Sequence, residues 1–184
     1  RRNELFINKG LKDGVPQFEE QAMKWGLDAP GTYTTQCVFF DMDRDGDLDA
    51  FMVNHADMFY NVFYSTSRLR QLRNAQYGNR LYKNDDGYFT EVSAAAGIGG
   101  SGINFGLGVA IDDVNSDNWP DIYVTNDYNE QDFLYLNNQD GTFKEVLQQT
   151  MGHISQFSMG ADMCDLNNDG LTDIISLDML PEDN

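Results

Sequence analysis

Short apolar runs recur along this chain, and pairs of them flank clusters of aspartate and asparagine. Before three such clusters stand Cys37-Val38-Phe39-Phe40, Gly108-Val109-Ala110-Ile111 and Gly160-Ala161-Asp162-Met163-Cys164. After them stand Ala50-Phe51-Met52-Val53, Ile122-Tyr123-Val124-Thr125 and Ile174-Ile175-Ser176-Leu177. These runs are short, mostly apolar and partly β-branched or aromatic, and they are bounded by turn-forming residues. That pattern predicts buried strands instead of helices. Each polar cluster therefore joins two strands.

A second set of segments repeats in step with the first. Asn3-Glu4-Leu5-Phe6-Ile7-Asn8, Asn79-Arg80-Leu81-Tyr82-Lys83-Asn84 and Asp132-Phe133-Leu134-Tyr135-Leu136-Asn137 each read as a short strand ending in a turn. Phe18-Glu19-Glu20, Phe89-Thr90-Glu91 and Phe143-Lys144-Glu145 follow, the last two after the hairpin turns Asp86-Gly87 and Asp140-Gly141. The first unit departs from this pattern, with Gly14-Val15-Pro16 as its expected turn and Gln36 where Gly108 and Gly160 stand. Leu81 and Leu134 are 53 residues apart. The repeating unit is thus four short antiparallel strands, which is the make-up of a β-propeller blade.

The polar clusters carry the chemistry. The first is Asp41-Met42-Asp43-Arg44-Asp45-Gly46-Asp47-Leu48-Asp49, with carboxylates at positions one, three, five and nine and glycine at six. The second has Asp113, Asn115, Asp117 and Asp121 at those four positions, and the third has Asp165, Asn167, Asp169 and Asp173. Asn118 takes the place of glycine in the second, and asparagine is the next-best residue for a left-handed backbone. Carboxylates this close repel unless a cation lies between them. Ca²⁺ takes six to eight oxygen ligands at about 2.3–2.6 Å, and alternate spacing aims successive side chains at one centre. Asp47, Trp119 and Leu171, at position seven, are expected to add backbone carbonyls. The expected cofactor is Ca²⁺, about three ions. An EF-hand is excluded, because position twelve holds Met52, Val124 or Ser176 in place of a bidentate glutamate.

With those motifs in place, the chain resembles the FG-GAP (VCBS) repeats, whose best-known members form the calcium-bearing propeller of integrin α-subunits. The fuller pattern, Asn-x-Leu-aromatic-x-Asn, then Asp-Gly-x-Phe-x-Glu-Val, then the acidic loop, is similar to the cartilage acidic protein group, including bacterial proteins with an ASPIC/UnbV domain. Ser158-Met159-Gly160-Ala161-Asp162 and Asp178-Met179-Leu180-Pro181-Glu182 also look like that bacterial branch. The resemblance implies an all-β propeller in which the calcium loop joins the innermost strand of a blade to the second. On that phase, residues 1–30 are the outer strands of one blade. Residues 31–95 are a blade with an insertion at 60–78, residues 96–150 a further blade, and residues 151–184 the inner strands of a last one. Three blades' worth cannot close a propeller, which needs four to eight. The chain is therefore expected to be one partial propeller, from a longer protein of about seven blades.

Charge narrows the partners. The 184 residues carry 30 acidic and 12 basic side chains, a formal charge of −18. Three bound Ca²⁺ would bring this to −12. Such acidity argues against nucleic acid, whose phosphates need lysine and arginine. No apolar run approaches the length of a membrane helix. Arg68, Arg70 and Arg73 cluster in the insertion, after Ser65-Thr66-Ser67, which could cap a short helix. The insertion is either a recognition loop for an acidic protein or anionic glycan, or an arm packed on the neighbouring blade. Cys37 and Cys164 sit at different repeat positions and are expected to be free thiols, and His55 and His153 are not repeat-equivalent either.

There is no nucleophile elbow, no Cys–His pair and no phosphate-binding glycine loop. The expectation is a non-enzymatic, calcium-stabilised binding or scaffold module. Weak calcium loops suit an extracellular, cell-surface or periplasmic setting, such as a bacterial outer surface. The alternative is part of a propeller-fold polysaccharide-degrading enzyme, with its catalytic residues elsewhere in the parent.

Overall fold

The computed structural model describes residues 2–57, 67–70, 72–128 and 130–179. It is all-β. The strands run β1 (Phe6–Lys12), β2 (Val15–Glu20), β3 (Thr34–Phe40), β4 (Asp49–Asn54), β5 (Arg80–Asp85), β6 (Tyr88–Glu91), β7 (Gly106–Asp112), β8 (Asp121–Asn126), β9 (Phe133–Asn137), β10 (Phe143–Glu145), β11 (Ser158–Cys164) and β12 (Asp173–Asp178). Among the described residues three single-turn helices lie between them: α1 (Ala22–Trp25), α2 (Ser67–Arg70) and α3 (Leu147–Thr150).

Among the described residues every pairing of these strands is antiparallel and joins neighbours in sequence. Two four-stranded sheets, β3-β4-β5-β6 and β7-β8-β9-β10, lie between two two-stranded ones, β1-β2 and β11-β12. This is the blade pattern of a β-propeller fragment.

The second strand of each full sheet is buried along its whole length, in both β4 and β8. Period-two alternation then divides its side chains between two cores. Phe51 and Val53 of β4 meet Ile122 and Val124 of β8, with Leu81, Val109 and Tyr135, in the core between the two full sheets. Ala50 and Met52 point the other way, into a core shared with Leu27, Ala29 and Tyr82. Tyr123 of β8 faces β11-β12, beside Met163 and Ile174. A strand sandwiched between two sheets cannot show apolar–polar alternation, which is why these runs are apolar throughout.

Gly106 packs directly against the preceding sheet, since a Cβ there would lie 2.3 Å from Val53 Cγ1. A Cβ on Gly108 would lie 3.1 Å from Gly160 Cα. Gln36, which stands at the corresponding place in β3, reaches across instead: Val109 N–H donates to its Oε1 at 3.0 Å. The departure from the glycine pattern is thus a polar link between sheets. The expected first turn is corrected. Val15 and Pro16 already belong to β2, and the turn is Asp13-Gly14, with both residues at positive φ as in Asp86-Gly87. The first hairpin therefore follows the rule of its repeat.

Much of the 60–78 insertion lies outside the described residues, including Ser65 and Thr66. Of its arginines, Arg70 Nε pairs with buried Glu130 at 2.9 Å, and Arg73 pairs with Glu91 at 2.9 Å and donates to Ile98 O and Asn79 O. Glu130 lies beyond β8 on the next sheet, so Arg70 ties the insertion to its neighbour. The Arg68 side chain lies outside the described set.

Candidate metal centre

The three acidic loops join β3 to β4, β7 to β8 and β11 to β12, and each is built the same way. Position four has positive φ in all three: Arg44 at 58°, Ser116 at 60° and Asn168 at 61°. So does position six: Gly46 at 95°, Asn118 at 67° and Gly170 at 84°. These two left-handed residues curl the chain around its own carboxylates. Positive φ at position six was legible from glycine and asparagine. At position four it was not, because arginine and serine give no such signal.

Backbone N–H groups then converge on the side chains. The N–H of position six donates to the Oδ2 of position one at 3.1 Å (Gly46 to Asp41), 2.6 Å (Asn118 to Asp113) and 2.9 Å (Gly170 to Asp165). In the second and third loops, position five also donates to position three, Asp117 to Asn115 Oδ1 at 3.0 Å and Asp169 to Asn167 Oδ1 at 2.9 Å. The position-seven residues Asp47, Trp119 and Leu171 turn their N–H onto the position-five carboxylate, at 3.0, 2.8 and 2.9 Å. Those bonds are the main reason that Asp45 and Asp117 sit below the usual carboxylate pKa.

Position nine differs. Asp49 and Asp121 are fully buried, and both oxygens of each accept a backbone N–H. Asp49 takes Met42 and Asn84, each at 2.9 Å; Asp121 takes Val114 at 3.0 Å and Asn137 at 2.8 Å. Burial pushes both carboxyls up in pKa despite these donors. Position nine is thus a structural staple as well as a candidate ligand. It ties the loop to the third strand of its sheet through the last Asn of the Asn-x-Leu-aromatic-x-Asn motif. Asn84 Nδ2 also donates to Leu48 O, and Asn137 Nδ2 to Pro120 O and to Met42 O of the preceding loop. By local sequence these asparagines only end a strand at a turn; their recurrence in register with the loops is the signal of the second role. Asp173, the third member, accepts Leu166 N–H at 3.1 Å.

The first loop shows the ligand geometry most directly. Asp41, Asp43 and Asp49 each bring a carboxylate oxygen within 4.8 Å of the others. Asp41 Oδ1 and Asp43 Oδ1 are buried without a hydrogen-bond partner. Two buried anionic oxygens with no donor are costly unless a cation meets them, so this donor set fits a hard divalent ion. Close by, Lys83 Nζ bonds to Asp43 and lies 3.5 Å from Asp45. That bond to Asp43 holds the ammonium well above the usual lysine pKa. Lys83 comes from β5 of the same sheet, and the loop's own spacing gave no sign of it.

The loops lie side by side. Arg44 of the first stands 5.6 Å over the Trp119 ring of the second, and Thr172 of the third donates to Asp113 O of the second at 3.0 Å. The expected sites thus form a row along one end of the sheets. His55 lies away from the row and donates its Nδ1–H to Ala56 O at 2.7 Å. Cys37 and Cys164 are free thiols on β3 and β11. Among the described residues no helix is long and apolar enough to cross a membrane.

Comparison with known protein families matches residues 113–176 to an FG-GAP-like repeat. That span begins at position one of the second loop and runs through the whole of the third. A search of curated proteins finds no match to the chain.

Proposed function

We propose that this chain is a calcium-stabilised binding or scaffold module. The observation that carries the reading is the pair of buried, donor-less oxygens of Asp41 and Asp43, set in a loop whose geometry recurs twice more in a row. In the first loop Asp41, Asp43, Asp45 and Asp49 would hold the ion; in the second Asp113, Asn115, Asp117 and Asp121; in the third Asp165, Asn167, Asp169 and Asp173. Bound Ca²⁺ would neutralise clustered charge and fix the connection between the first two strands of each sheet. A site with Kd of about 10⁻⁴ M in roughly 1 mM Ca²⁺ adds about 1.4 kcal/mol. That affinity range suits an extracellular, cell-surface or periplasmic setting and a protein or glycan partner. The FG-GAP-like repeat supports a propeller-type scaffold, and the ions would be structural within it.

The test is Asp45→Ala, with bound calcium counted by equilibrium dialysis. The variant is expected to bind one ion fewer than the native chain and to melt lower in calcium. Unchanged stoichiometry and an unchanged melt would refute the assignment.

A further inference from the structure

The first two acidic loops meet one need with different residues. At position three the second loop has Asn115, and the first has Asp43. The asparagine works through both ends of its amide. Asn115 Oδ1 accepts Asp117 N–H at 3.0 Å, and Asn115 Nδ2 donates to Asp117 Oδ2 at 3.2 Å. It thus gives the position-five carboxylate a donor and brings no charge of its own. An aspartate has no such donor. In the first loop the donor comes from another strand: Lys83 Nζ bonds to Asp43 Oδ2 and lies 3.5 Å from Asp45 Oδ2.

The exchange is in strand register. Ala50 pairs with Tyr82 in one full sheet, and Ile122 with Tyr135 in the other. Ala50 and Ile122 each follow position nine of their loop, so Lys83 of β5 and Leu136 of β9 are equivalent. Leu136 packs on the core of Tyr123, Leu134 and Met163. Lys83 instead lines a cleft of about 360 Å³ between the two full sheets, with Val92, Gln139 and Asp140. One sheet therefore combines aspartate with lysine, the other asparagine with leucine. Counting positions one, three, five and nine, the first loop carries four carboxylates beside one ammonium, and the second carries three carboxylates beside a leucine. The net charge is the same.

We infer that Lys83 sets the calcium affinity of the first loop by acting as the counter-charge to Asp43. The inference rests on the calcium reading of the loops. The affinity of such a loop follows the number of charged ligands. A fourth carboxylate by itself would make the first site the tighter of the two. The ammonium beside it cancels that gain, so the two loops fill over one range of calcium concentration. Lys83 does this without taking a ligand away. It occupies Asp43 Oδ2 and leaves Asp43 Oδ1, the buried oxygen that lacks a donor, for the ion. Lys83 is thus a positioning residue of the site, and Asp43 and Lys83 work as one unit where Asn115 and Leu136 do in the next sheet.

The test is calorimetric titration of the whole chain with CaCl₂, with Asp45→Ala and Asp117→Ala identifying the first and second sites. Asp43→Asn leaves the ammonium without its counter-charge and should weaken the first site about fivefold or more. Adding Lys83→Leu to it should regain most of that loss, because the first loop then has the make-up of the second. The exchange should also work in reverse. Asn115→Asp should tighten the second site about threefold or more, and adding Leu136→Lys should take most of that gain away. The two loops answer separately, so a pair that misfolds by circular dichroism in one leaves the other to decide. Calcium binding in which the second substitution of neither pair reverses the first overturns the inference and leaves the calcium reading standing. A native chain that binds no calcium overturns both.

Discussion

Position nine and position five of the second loop should fail in different ways. Asp121→Ala removes one buried carboxylate and strands the N–H groups of Asn137 and Val114, which it accepts at 2.8 and 3.0 Å. Two charge-assisted hydrogen bonds contribute about 1.5–3 kcal/mol each. Part of that is offset because the burial that raises the Asp121 pKa no longer has to be met. A net loss of about 3 kcal/mol is expected, and it should appear without any metal. For a chain of this length that is a fall of roughly 6–12 °C in Tm. Asp117→Ala is different, because the Asp117 carboxylate lies at the surface and is held mainly by Trp119 N–H. In a chelator its unfolding midpoint should move far less than that of Asp121→Ala. In millimolar Ca²⁺ the difference from the native chain should widen as its site disappears. The assay is urea unfolding of both variants in EGTA and in Ca²⁺. Equal losses in EGTA would refute the division between staple and ligand.

Two further outcomes follow from the charges around the loops. Lys83→Met removes the ammonium that contacts Asp43 and Asp45, so the first loop should bind Ca²⁺ several-fold more tightly by calorimetry; weaker binding would show Lys83 to support the site instead of competing for it. Burial raises the carboxyl pKa of Asp132, which accepts from Tyr123, Ser158 and Asn126, and that of Glu130. A raised folded pKa means that the folded state takes up protons first, so the stabilising contribution is full below the unfolded pKa of about 4 and is lost as pH rises through the folded one. With divalent ions removed, Tm should therefore climb from pH 7.5 towards about 5, and less steeply in Asp132→Asn; a steady fall over that range, or an identical climb in the variant, contradicts this.

The acidic loops were legible because three local signals coincide in nine residues: alternate oxygen side chains, a turn residue at position six and apolar runs on both sides. The strands were legible for a related reason, since Ala50-Phe51-Met52-Val53 and Ile122-Tyr123-Val124 have no polar face to spare. What local sequence could not show were contacts closed over long separations. Lys83 meets Asp43 only because β5 pairs beside β4, and Asn137 reaches Met42 O only because two sheets stack. Arg70 was open to two readings on sequence. Its bond to buried Glu130 uses the guanidinium within the fold. The first hairpin turn was not legible because proline near glycine reads as a turn, whereas Asp13-Gly14, with two positive φ angles, makes it.

The central claim is that the three loops hold structural Ca²⁺. Calorimetric titration of the metal-free chain with CaCl₂, with a thermal melt of the same sample before and after, tests it most directly. The account predicts about three ions bound and a rise of several degrees in Tm on saturation. No binding heat and superimposable melts would mean that the aspartates of all three loops are acidic turns without a metal.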